Sequence, residues 1–175
     1  CSAMSTKYLG DTFDIHGGGV DLVFPHHENE IAQAEAAGKS FARWWVHNGL
    51  LTVNGEKMSK SLGNVMTVEH ALKDCGGKVD ALKIFFLTAH YRSPIDYTPV
   101  NLQAALGRYR RMSHFFHRVM NTDIPTESGE LLAPSDVRDL QEEFISAMED
   151  DLNTPRALAA LDGLVAAGYA SSEQS

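Results

Sequence analysis

The stretch that most constrains the fold is residues 14–30, which read DIHGGGVDLVFPHHENE. A short β-like run enters three consecutive glycines, and a proline then precedes a polar segment with a helical composition. Glycine has no Cβ, so this backbone can adopt positive φ angles and approach a ligand closely. The pattern predicts a glycine loop that forms a binding site between a strand and a helix.

The ligand that suits this loop is the adenosine of a nucleotide, because Asp21 offers a carboxylate to ribose hydroxyls just after the glycines. Pro25 suits a first helical turn, where its missing N–H would have no partner in any case. We therefore expect a helix over residues 25–37, closed by Gly38.

His26 and Glu30 lie four residues apart and so share one face of that helix. An imidazole and a carboxylate in this arrangement can bind one metal ion, and Cys1 can add a thiolate, a donor set typical of zinc. The alternative is a solvated first turn whose acids are stabilised by the helix dipole. Spacing alone does not bring Cys1 to the helix, so both interpretations stay open.

Composition limits the classes of protein that the chain can belong to. It has 175 residues, 43% of them hydrophobic, which is enough for a real core but includes no apolar run near the length of about 18 residues that spans a membrane. Two cysteines indicate a reducing compartment, and we expect a cytoplasmic protein. The net charge of −8 argues against non-specific nucleic-acid binding without a local basic patch. The chain begins at Cys1, which we interpret as an internal position of a longer protein.

Strand and turn signals continue beyond the first helix. Residues 13–16 predict one strand, and the β-rich residues 44–46 and 50–53 predict more. Asn54-Gly55 is a typical hairpin turn. Strand, helix and strand in this order indicate an α/β sheet.

Residues 57–61, which read KMSKS, follow the hairpin. Two lysines and two serines on a flexible loop can stabilise charge on a polyphosphate when the loop closes on it. The alternative is an exposed lysine loop without a binding function, which has the same composition.

The string KMSKS matches the signature loop of class I aminoacyl-tRNA synthetases letter for letter. Together with CSAM at residues 1–4, HGGGVDL at 16–22 and FPHHENE at 24–30, it resembles the cysteinyl-tRNA synthetase family. Residues 90–94 and 150–158 are also similar to that family, so the resemblance covers most of the chain.

The resemblance implies a zinc ion held by Cys1, His26 and Glu30, with one more cysteine that would precede residue 1 together with the HIGH-type motif. It also implies that His16 lines the amino-acid pocket, and that ATP is bound with Mg²⁺. The catalytic residues that it implies are Lys57 and Lys60. The nucleotide-binding residues that it implies are Gly18, Gly19, Asp21, Lys57, Met58, Ser59, Lys60 and Ser61.

The implied reaction activates cysteine with ATP and transfers it to tRNA(Cys). The implied fold is the second half of a class I Rossmann-like α/β domain over residues 1–72, a connecting region over 73–97, and part of a helical anticodon-side domain over 98–175. The missing N-terminal half of the catalytic domain would be a partner, and the chain alone would be inactive. Two alternatives are the cysteine ligase of mycothiol synthesis and a non-catalytic zinc or nucleotide-binding module.

The second half of the chain reads as helices. Thr67 caps a predicted helix over 68–73, a second helix covers 79–90, and a third runs from Pro99 to about residue 121. A loop is expected over 122–134, followed by two helices with Ser135 and Thr154 as caps. In the third helix, one face carries a set of basic side chains that could contact tRNA or form a solvated surface: Arg108, Arg111, His114 and Arg118.

Overall fold

A computed structural model describes residues 1–59, 61, 63–121 and 134–172. The chain divides into two compact units. The first comprises Cys1–Leu51 with Arg92–Pro94, and the second comprises Thr52–Tyr91 with Ile95–Ser175. Within the described residues, no helix has the length and apolar character needed to cross a membrane.

The first unit is built around one parallel strand pair joined by a helix. The strands are β1 (Thr12–Gly19) and β2 (Phe41–Asn48), with Ile15 opposite Trp44 and Gly18 opposite His47. The helices are α1 (Ser2–Leu9), which the sequence patterns did not predict, and α2 (Glu28–Ala36), which connects the strands. This order confirms the predicted α/β arrangement.

Two local predictions in this unit are wrong. The three glycines continue β1 instead of forming a loop, and Gly19 has an extended backbone with φ −71° and ψ 154°. The helix begins at Glu28, because Val20–Leu22 forms a 3₁₀ turn and Val23–His27 a π-helical turn that contains the cis Phe24-Pro25 bond. Gly38, with φ +72°, follows the helix as predicted.

The second unit begins with a small sheet in the strand order β4-β3-β5. Its strands are β3 (Leu51–Val53), β4 (Glu56–Lys57) and β5 (Ile95–Tyr97). Asn54 and Gly55 form the predicted hairpin turn with φ angles of +52° and +80°. Positive φ at both central residues matches the right-handed twist of an antiparallel pair.

Five helices complete this unit within the residues that the structure describes. They are α3 (Val68–Asp74), α4 (Val79–Leu87), α5 (Pro99–Asn121), α6 (Pro134–Glu149) and α7 (Thr154–Ser172). Met112 and Phe115 of α5 pack against Leu158 and Val165 of α7 to form the core. The hydroxyl of Thr67 accepts the amide of His70, which confirms its predicted cap.

Three boundaries of these helices differ from the predictions. Helix α4 ends at Leu87 instead of residue 90. Helix α6 begins at Pro134, so Ser135 lies inside it. Asn153 takes the capping role expected of Thr154, since its side-chain oxygen accepts the amide of Arg156 at 3.3 Å. The loop predicted over 122–134 lies outside the described residues except for Pro134.

Candidate metal centre and signature loop

Glu30 is the most unusual side chain of the first unit, because a carboxylate is buried with only 3% of the residue exposed. Among the residues that the structure describes, none gives either carboxylate oxygen a hydrogen bond of normal geometry. Two imidazole nitrogens lie close to the carboxylate: Nε2 of His16 is 2.9 Å from Oε2, and Nε2 of His26 is 3.6 Å from Oε1. A buried carboxylate is costly unless it is paired or binds a cation, so this position calls for positive charge.

The first candidate ligand set is Cys1, His26 and Glu30, whose ligand atoms all lie within 4.8 Å of one another. Cys1 precedes α1, and its backbone carbonyl accepts the amide of Ser5. The hydroxyl of Ser2 contacts the carbonyl of Glu30 at 3.3 Å and so joins α1 to α2. The fold therefore brings together the three residues that the sequence singled out, including the contact of Cys1 that spacing could not show.

A second set of close donors comprises His16, His27 and Glu30, again within 4.8 Å. His27 is buried, and its Nδ1 lies 2.8 Å from Nε2 of His47. One ring of that pair donates and the other accepts, so at least one nitrogen carries a proton. His27 and His47 were not among the predicted site residues, because His47 lies on another strand and reaches His27 only through the parallel register that places it opposite Gly18.

Burial lowers the pKa of His27 below its ordinary value, since a charged imidazolium loses its water there. His16 lowers the pKa further, while Glu30 acts in the opposite direction. The aromatic ring of Trp45 packs against His16 at 4.7 Å and His27 at 5.0 Å between centroids. The lowered pKa favours the neutral form of His27, so its imidazole and the ring of Trp45 form an apolar side to this cluster that keeps a hydrogen-bonding nitrogen.

Gly18 permits this packing. A Cβ at residue 18 would lie 2.7 Å from Cε1 of His27 and 3.1 Å from Cδ1 of Leu22. The glycine is needed for close approach of β1 to the imidazole, and its extended conformation is open to other residues. A Cβ on Gly19 would collide with the carboxylate of Asp21.

His16 and Asp21 were predicted to contact amino acid and nucleotide. His16 lies on β1 with its imidazole against Glu30, and Asp21 lies in the 3₁₀ turn beside Gly19. Their predicted ligand contacts remain predictions.

The signature loop belongs to the second unit and begins at Lys57, the last residue of β4. The amide of Ser59 donates to Oδ1 of Asn64 at 2.8 Å, and Nδ2 of Asn64 donates to the carbonyl of Lys57 at 3.2 Å. The hydroxyls of Ser59 and Ser61 lie 3.1 Å apart. Lys60 lies outside the described residues.

Asn64 was missed by the sequence interpretation. Its side chain bonds two backbone groups of the loop at once and so restricts the conformation of residues 57–59. The signal was present in the glycine-asparagine pair at residues 63–64, because asparagine side chains often bond nearby backbone in turns.

The basic face of α5 has intramolecular partners. Arg108 pairs with Asp162 of α7 at 2.7 Å, and Arg111 lies 3.9 Å from the same carboxylate. The guanidinium of Arg118 lies over the ring of Tyr169, 5.4 Å from its centroid. These contacts favour a role in helix packing over a tRNA-binding surface.

Solved structures share this fold. A leucyl-tRNA synthetase of Agrobacterium radiobacter in a ternary complex with tRNA and LeuAMS has a TM-score of 0.65 over 93% of this chain and 23% of its own length, at 19% identity. A putative arginyl-tRNA synthetase from Campylobacter jejuni has a TM-score of 0.56 over 99% of this chain and 42% of its own, at 16% identity. The fold is therefore that of a tRNA synthetase.

Family models are more specific. The model for the class I (C) tRNA synthetase catalytic domain matches residues 1–107, and the model for the DALR domain matches residues 143–167. The chain belongs to the class I (C) tRNA synthetase family, which confirms the predicted fold class and the resemblance.

Curated relatives carry the name cysteine–tRNA ligase. The Carboxydothermus hydrogenoformans protein is 48% identical over 169 residues, which are 96% of this chain and 36% of the relative. The Geobacter sulfurreducens protein is 49% identical over 95% of this chain and 35% of the relative. The Deinococcus radiodurans protein is 51% identical over 94% of this chain and 33% of the relative. The chain thus spans about a third of the length of these relatives.

Proposed function

We propose that the polypeptide carrying this chain is a cysteine–tRNA ligase, which forms cysteinyl-adenylate from cysteine and ATP and transfers the cysteinyl group to tRNA(Cys). The observation that carries the proposal is the meeting of Cys1, His26 and Glu30 in a chain that also holds the KMSKS string. Relatives at about half identity bear that name.

The donor set fits zinc, because it combines a thiol, an imidazole and a buried carboxylate that receives no hydrogen bond of normal geometry from the described residues. Cys1, His26 and Glu30 would hold the ion, and a cysteine outside this chain would be the fourth ligand. When bound, zinc supplies a soft Lewis acid that prefers a substrate thiolate to a hydroxyl and so separates cysteine from serine. An apolar pocket alone separates such similar side chains by only about 1–3 kcal/mol.

The residues around this centre would orient the ligands and the substrate. His16 contacts Glu30 and would fix one carboxylate oxygen, while the rings of Trp45 and His27, which pack against each other and close to His16, would cover the same side. In this proposal His16 also lines the amino-acid pocket.

The nucleotide side is proposed from the signature loop and the glycine strand. Lys57 and Lys60 would stabilise negative charge on ATP and its Mg²⁺ complex as pyrophosphate leaves. Met58, Ser59 and Ser61 would shape the loop. Gly18, Gly19 and Asp21 would contact adenosine.

The helical part would face tRNA. The DALR match at residues 143–167 lies in α6 and α7, within the segment proposed as the anticodon-side domain over 98–175. This match and the names of the relatives favour the tRNA enzyme over the mycothiol-pathway ligase. The proposed boundaries at residues 72 and 97 separate this helical domain from the catalytic part by the connecting region.

The proposed location of the protein is the cytoplasm, where translation uses the product.

Lys60 provides the test. In the full-length protein, Lys60→Ala removes a charged contact to the transition state, which typically costs ~2.7–4 kcal/mol of the barrier. We expect cysteine-dependent ATP–pyrophosphate exchange to slow by about 10²–10³-fold while the affinity for cysteine changes little. Lys73→Ala, which removes an exposed lysine paired with Glu69 on α3, is the matched control. Equal exchange rates in the Lys60 variant and the wild type would contradict the role.

A further inference from the structure

Asp96 lies outside every motif of the sequence, yet it holds the hairpin that leads into the signature loop. Its Oδ1 accepts the hydroxyl of Thr52 at 2.7 Å and the amide of Gly55 at 2.8 Å. One carboxylate oxygen thus joins the outgoing strand β3 to the turn. The Asp96 carbonyl accepts from Asn101 at 2.9 Å, which ties the same residue to the start of α5.

These contacts matter because the returning strand is short. Strand β4 has two residues, both exposed, and pairs with β3 only through Thr52 opposite Lys57 and Val53 opposite Glu56. An isolated pair of this length has little stability of its own. The position of β4 therefore depends on the turn, which Asp96 holds at Gly55 while the carbonyl of Tyr97 accepts the amide of Asn54 at 3.2 Å.

From β4 the connections continue into the loop. Lys57 pairs with Thr52 in the ladder, and its carbonyl is held by Asn64, whose side chain also holds the amide of Ser59. A change in the turn would therefore be transmitted through Lys57 to Ser59. Every contact in this series lies within the second unit.

We propose that Asp96 is a positioning residue for the signature loop, because its carboxylate fixes the Asn54-Gly55 turn and with it the place at which Lys57, Met58 and Ser59 are presented. The functional part of this inference rests on the proposed binding of ATP by the loop. The hydrogen bonds from Thr52 and Gly55 also lower the pKa of Asp96, so the carboxylate is ionised at neutral pH. Hydrogen bonds to an ionised acceptor are stronger than neutral ones.

The test compares Asp96→Ala, Asp96→Asn and a control in the full-length protein. Asp96→Ala removes the acceptor, whereas Asp96→Asn keeps an oxygen that can accept both bonds. Asp80→Ala is the control, since Asp80 is an exposed aspartate of the same unit that pairs with Lys83 at 3.0 Å. Thr52→Val removes one of the two bonds and serves as a milder variant if Asp96→Ala fails to fold.

The first measurement is hydrogen exchange at the amides of residues 55–59. We expect Asp96→Ala to accelerate this exchange about tenfold or more. Thr52→Val and Asp96→Asn should accelerate it less, because the first keeps one of the two bonds and the second keeps a neutral acceptor for both. Asp80→Ala should leave the exchange near the wild-type rate. Unchanged exchange in Asp96→Ala, or loss of protection spread equally over α5 and α7, would overturn the positioning role.

The second measurement separates the substrates in the pyrophosphate-exchange assay. Asp96→Ala should raise the KM for ATP or lower kcat while the KM for cysteine stays constant, and Asp96→Asn should restore most of the loss. An equal change in the KM for cysteine would contradict a role through the loop. If the wild type shows no exchange activity, the proposed function fails, and hydrogen exchange still decides whether Asp96 positions the hairpin.

Discussion

Glu30 is the residue that both candidate metal-ligand sets of the first unit share. Its carboxylate is buried and lies 2.9 Å from the imidazole of His16. The carboxylate can bind a metal ion together with Cys1 and His26, while His16 restricts its orientation. Among the described residues, no hydrogen bond of normal geometry reaches either oxygen of this buried carboxylate, a costly arrangement that a bound cation would offset.

Removing a ligand should therefore release the metal. In the full-length protein, we expect Glu30→Ala and His26→Ala each to lower the zinc content well below one ion per chain and to reduce the preference for cysteine over serine in the same proportion. Elemental analysis and exchange assays with both amino acids measure the two effects. Glu35→Ala, which alters an exposed glutamate of the same helix, should change neither. Stoichiometric zinc in either ligand variant would contradict the assignment.

The two cysteines should differ in reactivity. Cys75 is fully buried, and burial raises the pKa of its thiol, with Asp74 adding to the effect. Cys1 is exposed. We expect a maleimide to modify Cys1 and spare Cys75 in the native metal-free protein, as read by peptide mass spectrometry, and zinc to protect Cys1. Both thiols should react in denaturant, and rapid native labelling of Cys75 would contradict its burial.

At the scale of elements, the packing of α5 against α7 depends on a missing side chain. A Cβ on Gly168 would collide with the ring of Phe115 and lie 2.9 Å from its Cζ. Phe115 is itself buried in the core, so the ring has little room to move. Gly107 of α5 offers the opposite case, because a Cβ there meets no described atom within 4 Å.

Alanine substitutions at these two glycines should have opposite effects. Overpacking costs about 1–3 kcal/mol, and a clash with an immobile ring belongs to the upper part of that range. It therefore exceeds the gain of about 1 kcal/mol from replacing a helical glycine. We expect Gly168→Ala to lower the midpoint of thermal unfolding and Gly107→Ala to raise it slightly. A Gly168→Ala protein as stable as the wild type would contradict the close packing.

The sequence predicted those elements whose signals are local. Asn54-Gly55 makes its hairpin, Thr67 caps α3, and Pro99 opens α5, because each effect acts within a few residues. The glycines of β1 were wrongly predicted as a loop because their extended conformation is fixed by pairing with β2. Composition shows only that glycine can bend a chain. The tertiary contact shows instead that Gly18 is needed within the strand because a side chain there would collide with His27.

The candidate site shows the same division. His26 and Glu30 could be predicted as neighbours from their spacing, and the family resemblance supplied Cys1. The partner of His27 was not predictable in this way, since His47 lies on another strand and meets His27 only through the parallel register. Asn64 and Asp96 each act through two side-chain hydrogen bonds to backbone or hydroxyl groups, and such contacts leave no periodic pattern.

At the scale of the whole molecule, the chain holds three donors of the four that the family resemblance implies. We expect the isolated 175-residue chain to bind zinc weakly and to form no adenylate, because the fourth ligand and the HIGH-type motif would have to come from elsewhere. Calorimetric titration with zinc and the exchange assay test both statements. Tight one-to-one zinc binding by this chain would show that its three donors suffice.

The most direct test of the proposed function is amino-acid-dependent ATP–pyrophosphate exchange by the full-length protein, measured with cysteine and with serine at equal concentrations. A metal-bound thiolate should favour cysteine far beyond the discrimination of roughly 10–200-fold that apolar contacts provide. We expect exchange with cysteine, almost none with serine, and loss of the cysteine signal when a chelator removes the metal. Exchange that is equal for the two amino acids, or that is absent with cysteine in the zinc-loaded protein, would contradict a cysteine–tRNA ligase that selects its substrate through Cys1, His26 and Glu30.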